Sequence, residues 1–245
     1  MLSKRNAHNI AGMARFGISP KNTLGVPMPY LRSLGRKIRT DHNLALQLWQ
    51  SRYHEARILA SLVADPSLMK VSTAEKWVSQ VDSWDVCDQL CLNLLDKTPY
   101  AWGKARTWPR RNEAFVKRAG FVLMAVLAVH DKKAPDSKFI GLFPLLLAGA
   151  RDERNFVRKA VNWAVRQIGK RNRSLNRSAI ILSRHIQKLG IPAARWIAAD
   201  AIRELESKAV HSRLGSKKAR KPDCQIAGKP DDVAGMFVVW HPDKV

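Results

Sequence analysis

The sequence is poor in acidic residues. Its 20 Asp and Glu face 43 Lys and Arg, which gives a formal net charge of +23 at pH 7 over 245 residues. A solvated surface does not need such an imbalance, and a polyanion is its simplest partner, because neutralising phosphates releases their counterions. The charge therefore indicates nucleic acid as the leading class of partner, ahead of an anionic membrane or an acidic protein.

Three further features are scarce. No apolar run reaches the roughly 18 residues that a membrane-spanning helix needs, and the N-terminal stretch lacks the apolar core of a signal peptide. Three cysteines in a chain of this length do not make a disulfide framework. We therefore expect a monomer in a reducing cytoplasm, with no membrane partner.

Strand-like alternation of apolar and polar residues is nearly absent between about residues 40 and 210, where helical spacing dominates. Short breaks containing Pro66, Pro99, Pro135 and Pro192 separate the segments, which pair naturally into helical hairpins. The predicted helices are 42–51, 53–64, 72–81, 83–96, 99–107, 111–130, 136–149, 153–170, 174–188 and 191–210.

A degenerate internal repeat supports stacked hairpins. The segment FVKRA at 115–119 recurs as FVRKA at 156–160, offset by 41 residues, and a second similarity links 157–166 with 194–203 at an offset of 37. Units of about 40 residues with two helices are typical of HEAT-like repeats. The sequence predicts an all-α superhelical solenoid of HEAT-like two-helix repeats.

Both ends of the chain differ from the repeats. Residues 1–40 contain three prolines and a predicted helix, YLRSLGRKIR, and we group them with the repeats in one domain, 1–210. Residues 211–245 form a separate tail. It begins with a basic stretch predicted to be a flexible linker, 211–222, and contains a short apolar run, MFVVW, at 236–240.

The stretch DSWDVCDQLC, residues 82–91, is dense in groups capable of chemistry. With Asp82 or Ser83 as N-cap, Asp85 falls in the first helical turn, where a negative charge is favourable. Cys87 and Cys91 share the apolar arc of the helix. They lack further candidate ligands for a structural zinc, so we predict small core residues and no metal.

Asp88 lies too deep in this helix to cap it. At about 100° per residue it sits one turn from Trp84, at the border of the apolar and polar faces. A carboxylate beside an indole is a candidate site. Spacing alone nevertheless favours the simpler interpretation, a solvated or salt-bridged aspartate beside a half-buried tryptophan.

Basic residues on two later helices complete the candidate set. Arg118 interrupts an almost wholly apolar helix, so either its guanidinium meets a carboxylate or phosphate, or its stem packs while its head reaches water. On the helix after residue 153, Trp163 lies at the border of the apolar arc and a predicted basic stripe. The stripe consists of Arg158, Lys159, Asn162, Arg166 and Lys170.

Four blocks carry a family resemblance: HEARILASLVADP, VDSWDVCDQLCLNLL, EAFVKRAGFVLMAVLAVHDKKAPD and DERNFVRKAVNWAVRQIGKRN. In order and spacing they resemble the AlkD-type DNA alkylation repair family of HEAT-like alkylpurine DNA glycosylases, over roughly residues 10–210. The resemblance implies a catalytic Asp88 with Trp84, Arg118 and Trp163 around the lesioned nucleotide. It also implies a DNA contact at Arg166, and Arg158, Lys159 and Lys170 extend that basic surface.

The resemblance implies a monofunctional glycosylase that excises 3-methyladenine and 7-methylguanine from double-stranded DNA without cofactor, metal or base flipping. A cationic base leaves as a neutral molecule, so one carboxylate suffices to stabilise the oxocarbenium-like sugar and to position water. The alternative is a non-catalytic HEAT-repeat scaffold that binds damaged or branched nucleic acid. Residues 1–40 match the family only loosely, and the tail after residue 211 has no counterpart in it.

Overall fold

The computed structural model describes residues 2–216, and within that range every regular element is helical. No helix there is long and apolar enough to span a bilayer. The helices are α1 (Ala7–Ala14), α2 (Met28–Ile38), α3 (His42–Gln50), α4 (His54–Val63), α5 (Val71–Ser79), α6 (Trp84–Asn93), α7 (Ala101–Thr107), α8 (Ala114–His130), α9 (Asp136–Ile140), α10 (Phe143–Gly149), α11 (Asn155–Gly169), α12 (Arg173–Gln187), α13 (Pro192–Leu205) and α14 (Lys208–Ser216).

One row of helices runs through the molecule. In this row α4 packs on α6, α6 on α8, α8 on α11, and α11 on α13. Other helices cover the row: α3 lies against α4, α7 against α8, and α12 against α11 and α13. Helix α8 is the centre of the stack, and every residue from Arg118 to Ala128 is buried. Since each helix pair hides its apolar face on its neighbours, the predicted stacked hairpins are confirmed.

The sequence repeat coincides with the helix starts. Helices α8, α11 and α13 begin at Ala114, Asn155 and Pro192, which are 41 and 37 residues apart. The two repeated phenylalanines, Phe115 and Phe156, occupy the same position on adjacent helices and stack with ring centroids 5.6 Å apart. The repeated sequence segments therefore occupy equivalent positions in consecutive helical repeats.

A buried carboxylate fixes the N-terminal segment to this stack. Glu55 of α4 is 1% exposed and accepts backbone N–H bonds from Leu24 at 2.9 Å, Gly25 at 2.6 Å and Val26 at 3.3 Å. Gly25 has φ of +72°, and a Cβ there would lie 2.3 Å from the Asn6 carbonyl oxygen, so only glycine fits. Residues 24–26 are thereby held in one loop conformation beside α4.

Two predicted helices divide into separate α-helices, and local chemistry explains both divisions. The segment 136–149 divides into α9 and α10, because Pro144 has no N–H to continue a helix and starts a new one instead. The segment 191–210 ends at Leu205. Ser207 then caps α14, since its hydroxyl accepts a bond from the Val210 N–H at 3.4 Å.

Helix α14 corrects the predicted linker. It crosses residue 210 and continues to Ser216, with Val210 and Leu214 buried, so the first six residues of the 211–222 stretch are helical. The remainder of that stretch and the apolar run at 236–240 lie outside the described residues. The predicted helix within 30–39 is confirmed by α2.

Candidate active site

Helix α6 begins as the sequence predicts, although its cap differs in detail. Ser83 is the N-cap residue, but its side chain makes no capping bond. Asp85 lies in the first turn and bonds His54 Nε2 at 2.8 Å. Burial alone raises the pKa of Asp85, but the hydrogen bond and charge of His54 outweigh it, so the pKa is lowered. Asp82 is exposed and lies 3.4 Å from Arg57, so it does not cap the helix.

The two cysteines of α6 belong to the core, as predicted. Cys87 and Cys91 are at most 1% exposed and unpaired. Their Sγ atoms approach the backbone carbonyl oxygens of Phe115 and Ala119 on α8, at 3.6 and 3.7 Å. Burial raises the pKa of the Cys91 thiol well above its ordinary value, so this group stays protonated. The pair joins α6 to α8 on both sides of Asp88.

Asp88 and Arg118 meet across that junction. Arg118 donates from Nε to Oδ1 of Asp88 at 2.9 Å and from Nη2 to Oδ2 at 2.8 Å, which is a bidentate pair. Its Nη1 donates to the Phe156 carbonyl oxygen of α11. Three consecutive helices of the row thus converge on one guanidinium. Of the two possibilities that the sequence left open for Arg118, the buried arginine with a carboxylate partner is correct.

The Asp88–Arg118 pair is largely excluded from solvent. The side chains of Arg118 and Asp88 are 6% and 15% exposed. Burial raises the pKa of Asp88 above the ordinary aspartate range, against the opposing effect of Arg118. Burial alone lowers the pKa of Arg118, but Asp88 outweighs it and the pKa is raised. A carboxylate that is held by one cation and is largely buried interacts strongly with any further positive charge brought close to it.

The N-terminal segment reaches this site from the other side. Trp84 is partly exposed and donates from Nε1 to the Phe16 carbonyl oxygen at 3.1 Å. The Phe16 side chain is 70% exposed, and the next residue, Gly17, approaches the Phe156 ring. Sequence periodicity did not indicate that Phe16 lies next to Trp84, because it depends on the three-dimensional path of residues 15–18.

The basic stripe on α11 is only partly available. Arg166 bonds Glu204 of α13 at 2.5 Å, and Lys170 bonds the same carboxylate at 2.6 Å. Arg158 lies over the ring of the exposed Trp196, at 5.2 Å from its centroid, and Lys159 is exposed. Helical spacing did not reveal Glu204 as a partner, because it lies 34 positions after Lys170, with a complete helix between the two.

The remaining stripe residue, Asn162, and the bordering residue Trp163 differ in burial. Asn162 is 2% exposed and donates to the Ile197 carbonyl oxygen, so its predicted place on the basic stripe is wrong. Trp163 is partly buried and packs against the core, next to the basic residues but without a hydrogen bond to Asp88. Among residues 2–216 no three His, Cys, Asp or Glu side chains gather as a metal-binding group.

The helical stack and the dry Asp88–Arg118 pair together define a class: a HEAT-like repeat protein with a carboxylate site between consecutive repeats. A solved structure supports this fold assignment, with a TM-score of 0.73 at 15% identity over 87% of this chain and 92% of the other. That protein belongs to a new family related to the HEAT-like repeat DNA glycosylases, with affinity for branched DNA structures. The predicted HEAT-like fold is confirmed.

The model of one family, DNA alkylation repair enzyme, matches residues 1–205. The chain therefore belongs to the DNA alkylation repair enzyme family, as the sequence resemblance predicted. The match includes the N-terminal segment and all the elements that form the candidate site. No curated protein matches the chain.

Proposed function

We propose that the protein is a monofunctional DNA glycosylase that hydrolyses the N-glycosidic bond of cationic alkylated purines. The observation that carries the proposal is the bidentate Asp88–Arg118 pair, in which the Asp88 side chain is 15% exposed and lies one helical turn from Trp84. Membership of the DNA alkylation repair family and the net charge of +23 support it.

The chemistry needs little more than this carboxylate. A purine alkylated at N3 or N7 is positively charged and departs as a neutral base, so no general acid is required. Positive charge then develops on the deoxyribose, and a carboxylate in a site of low dielectric stabilises that charge and orients the attacking water. Burial raises the pKa of Asp88, and the charge and hydrogen bonds of Arg118 oppose that rise by favouring the carboxylate form.

The neighbours of Asp88 have separate tasks. Arg118 holds the carboxylate in one orientation, and the buried thiols on both sides fix the spacing of α6 and α8. Trp84 supplies an aromatic face for the cationic sugar, and Trp163 borders the basic surface of α11. Lys159 and Arg158 contact the phosphate backbone, while Arg166 and Lys170 do so only in competition with Glu204.

The test is release of 7-methylguanine and 3-methyladenine from methylated duplex DNA, in the presence of a chelator. We expect release by the natural protein and a loss of about 10²- to 10³-fold in Asp88→Asn at saturating DNA. Asp82→Asn is the matched control, because it removes the same charge six residues away at an exposed position. Equal release by the natural protein and Asp88→Asn would refute the assignment.

A second function has one specific observation in its favour, the branched-DNA affinity of the structural relative. In that case the protein binds four-way junctions more tightly than duplexes of equal length, with strong salt dependence and no base release. The excision assay separates the two functions, since a binding protein yields no free base from either the natural chain or the variant.

A further inference from the structure

A cleft lined by basic residues lies apart from the Asp88–Arg118 pair. A cleft of about 490 Å³ opens between α3, α4 and α5, and its lining includes Arg52, Arg57 and Lys76 but no carboxylate. A smaller cavity shares Arg52 and Arg57 with it and extends to Asp82 and Ser83, directly before Trp84. The cleft is therefore continuous in its lining with the start of α6.

Arg57 is the fixed point of this cleft. It is 8% exposed, its guanidinium lies over the Trp49 ring at 5.2 Å, and its Nη1 donates to the Gln80 carbonyl oxygen at 3.0 Å. Trp49 itself stacks on Trp77 with ring centroids 4.2 Å apart. These contacts hold the cation in place before any ligand arrives, which reduces the entropy lost on binding.

The guanidinium is nevertheless incompletely satisfied. Its Nε is buried without an acceptor, and its Nη2 donates to no group among residues 2–216. The one acid nearby, Asp82, lies 3.4 Å from Nη1 and is 70% exposed, so that pair is weak and screened. Burial lowers the pKa of Arg57, and Asp82 only partly offsets it. A buried cation in this condition is stabilised by an added anion.

The backbone at Arg52 supports a role for its side chain. Arg52 has φ of +61°, in the left-handed region that glycine or asparagine adopts more easily. An arginine here bears a conformational cost while its side chain contributes to both cavities.

We propose that the cleft binds a phosphate of a nucleic-acid strand, so that the DNA interface extends from α6 across α4 to α3 and α5. Three cations without a carboxylate repel a cationic alkylated base, so the cleft does not receive the lesion. The inference rests on the proposed function only in taking DNA as the partner, because it requires binding and not excision.

The test measures affinity for an undamaged duplex and for a four-way junction by fluorescence anisotropy over a salt series. Arg52→Gln/Lys76→Gln changes two exposed side chains and leaves buried Arg57 in place. We expect affinity at low salt to fall about tenfold and the salt slope to decrease by about one to two, as for lost phosphate contacts. Unchanged thermal melting confirms that the variant is folded.

The matched control is Lys97→Gln/Lys133→Gln. These exposed lysines follow the C-terminal ends of α6 and α8, whereas the candidate site lies near their N-terminal ends, and α8 alone is about 25 Å long. The control removes the same charge and should lose less than twofold. An equal loss in both variants, or no loss in either, overturns the proposal.

Inorganic phosphate distinguishes a free anion from a strand. If added phosphate raises the melting temperature of the natural protein but not of Arg52→Gln/Lys76→Gln, while both bind DNA equally, the proposal is wrong. Absence of base release refutes the glycosylase but leaves the binding comparison intact. Normal base release with unchanged DNA affinity of the variant refutes the cleft alone.

Discussion

Two clusters join an acid to an arginine across neighbouring helices of the same row, and they differ in solvent exposure. Between α6 and α8, Asp88 and Arg118 are 15% and 6% exposed. Between α11 and α13, Glu204 and Arg166 are 29% and 30% exposed, and Lys170 adds a second cation. The layers are equivalent in the repeat, but only the first pair is removed from solvent.

The pKa values of the two acids are shifted in opposite directions, because neighbouring cations outweigh the effect of burial in only one of them. The pKa of Asp88 is raised by burial despite Arg118. For Glu204 burial acts in the same direction, but the bonds and charges of Lys170 and Arg166 outweigh it and the pKa is lowered. The buried layer therefore places one carboxylate, Asp88, where its charge interacts strongly with neighbouring charges. The exposed layer uses Glu204 to neutralise two basic side chains at a solvated surface, where such interactions are weak.

The largest expected difference is in stability. Arg118→Met leaves Asp88 buried without a cation and should lower the free energy of unfolding by about 3–5 kcal/mol. Arg166→Met should cost less than about 1 kcal/mol, because its cluster is solvated and Lys170 remains. Urea denaturation measures both. Asp88→Asn/Arg118→Met should recover most of the loss, and equal costs for the two single variants would contradict the contrast.

The second-largest expected difference between the two clusters is in the pH dependence of activity and stability. Excision needs the Asp88 carboxylate, so activity falls about tenfold per pH unit once the pH drops below its raised pKa.

The contributions of Asp88 and Glu204 to folding stability should change in opposite directions as the pH falls. Folded Asp88 takes up its proton before unfolded Asp88, so this group favours the folded state as pH falls. Glu204 contributes stability above its unfolded pKa, and that contribution is lost as pH falls through its lowered folded pKa.

These signs are checked by unfolding free energies measured across the acidic range. The natural protein is compared with Asp88→Asn and with Glu204→Gln. Subtraction of each variant's curve isolates one group, and curves of the same slope for both groups would contradict the opposite shifts.

A smaller effect is expected on DNA affinity at the wet cluster. Glu204→Gln releases Lys170 and leaves Arg166 with only its longer contact to Asp200 at 3.5 Å, so affinity should rise a few-fold and the salt slope should increase by about one. Glu206→Gln is the control, because it also removes one negative charge but faces Arg184 at an exposed site. Binding isotherms for a duplex at several salt concentrations measure the affinities of the two variants. An equal rise in affinity in both would show that the change in net charge alone is responsible.

The smallest effect concerns the N-terminal segment beside the dry pair. Trp84→Phe removes the bond to the Phe16 carbonyl oxygen and should reduce local stability of residues 15–18 by about 0.5–1.5 kcal/mol. Trp163→Phe, at the corresponding border on α11, should leave those residues unchanged. Amide hydrogen exchange in this segment measures the difference, and identical exchange in both variants would show that the Trp84 bond is not an anchor.

Periodicity predicted the helices and the core well, since apolar spacing directly encodes a buried face. It placed Cys87 and Cys91 in the core. It also placed Trp84 and Asp88 at the border between the apolar and polar faces of α6. It failed where one residue changes the local geometry: Pro144 divides a predicted helix, and Ser207 starts a new one.

Partners distant in sequence were not accessible to periodicity. The pairing of Asp88 with Arg118 spans 30 residues, and that of Arg166 with Glu204 spans 38. Each depends on the order of helices in the row and on rotamers within it. Family resemblance suggested the roles of Asp88 and Arg118, but the ion pair between them and the position of Phe16 required the structure.

The Glu55 clamp on residues 24–26 has a practical consequence for shortening the chain. A polypeptide that began after Val26 would retain the carboxylate at the base of α4 but lose all three of its N–H donors. A buried acceptor left unsatisfied costs about 1–3 kcal/mol, and more when it is charged. Truncation would therefore damage α4 itself, and safe N-terminal deletions end well before Leu24.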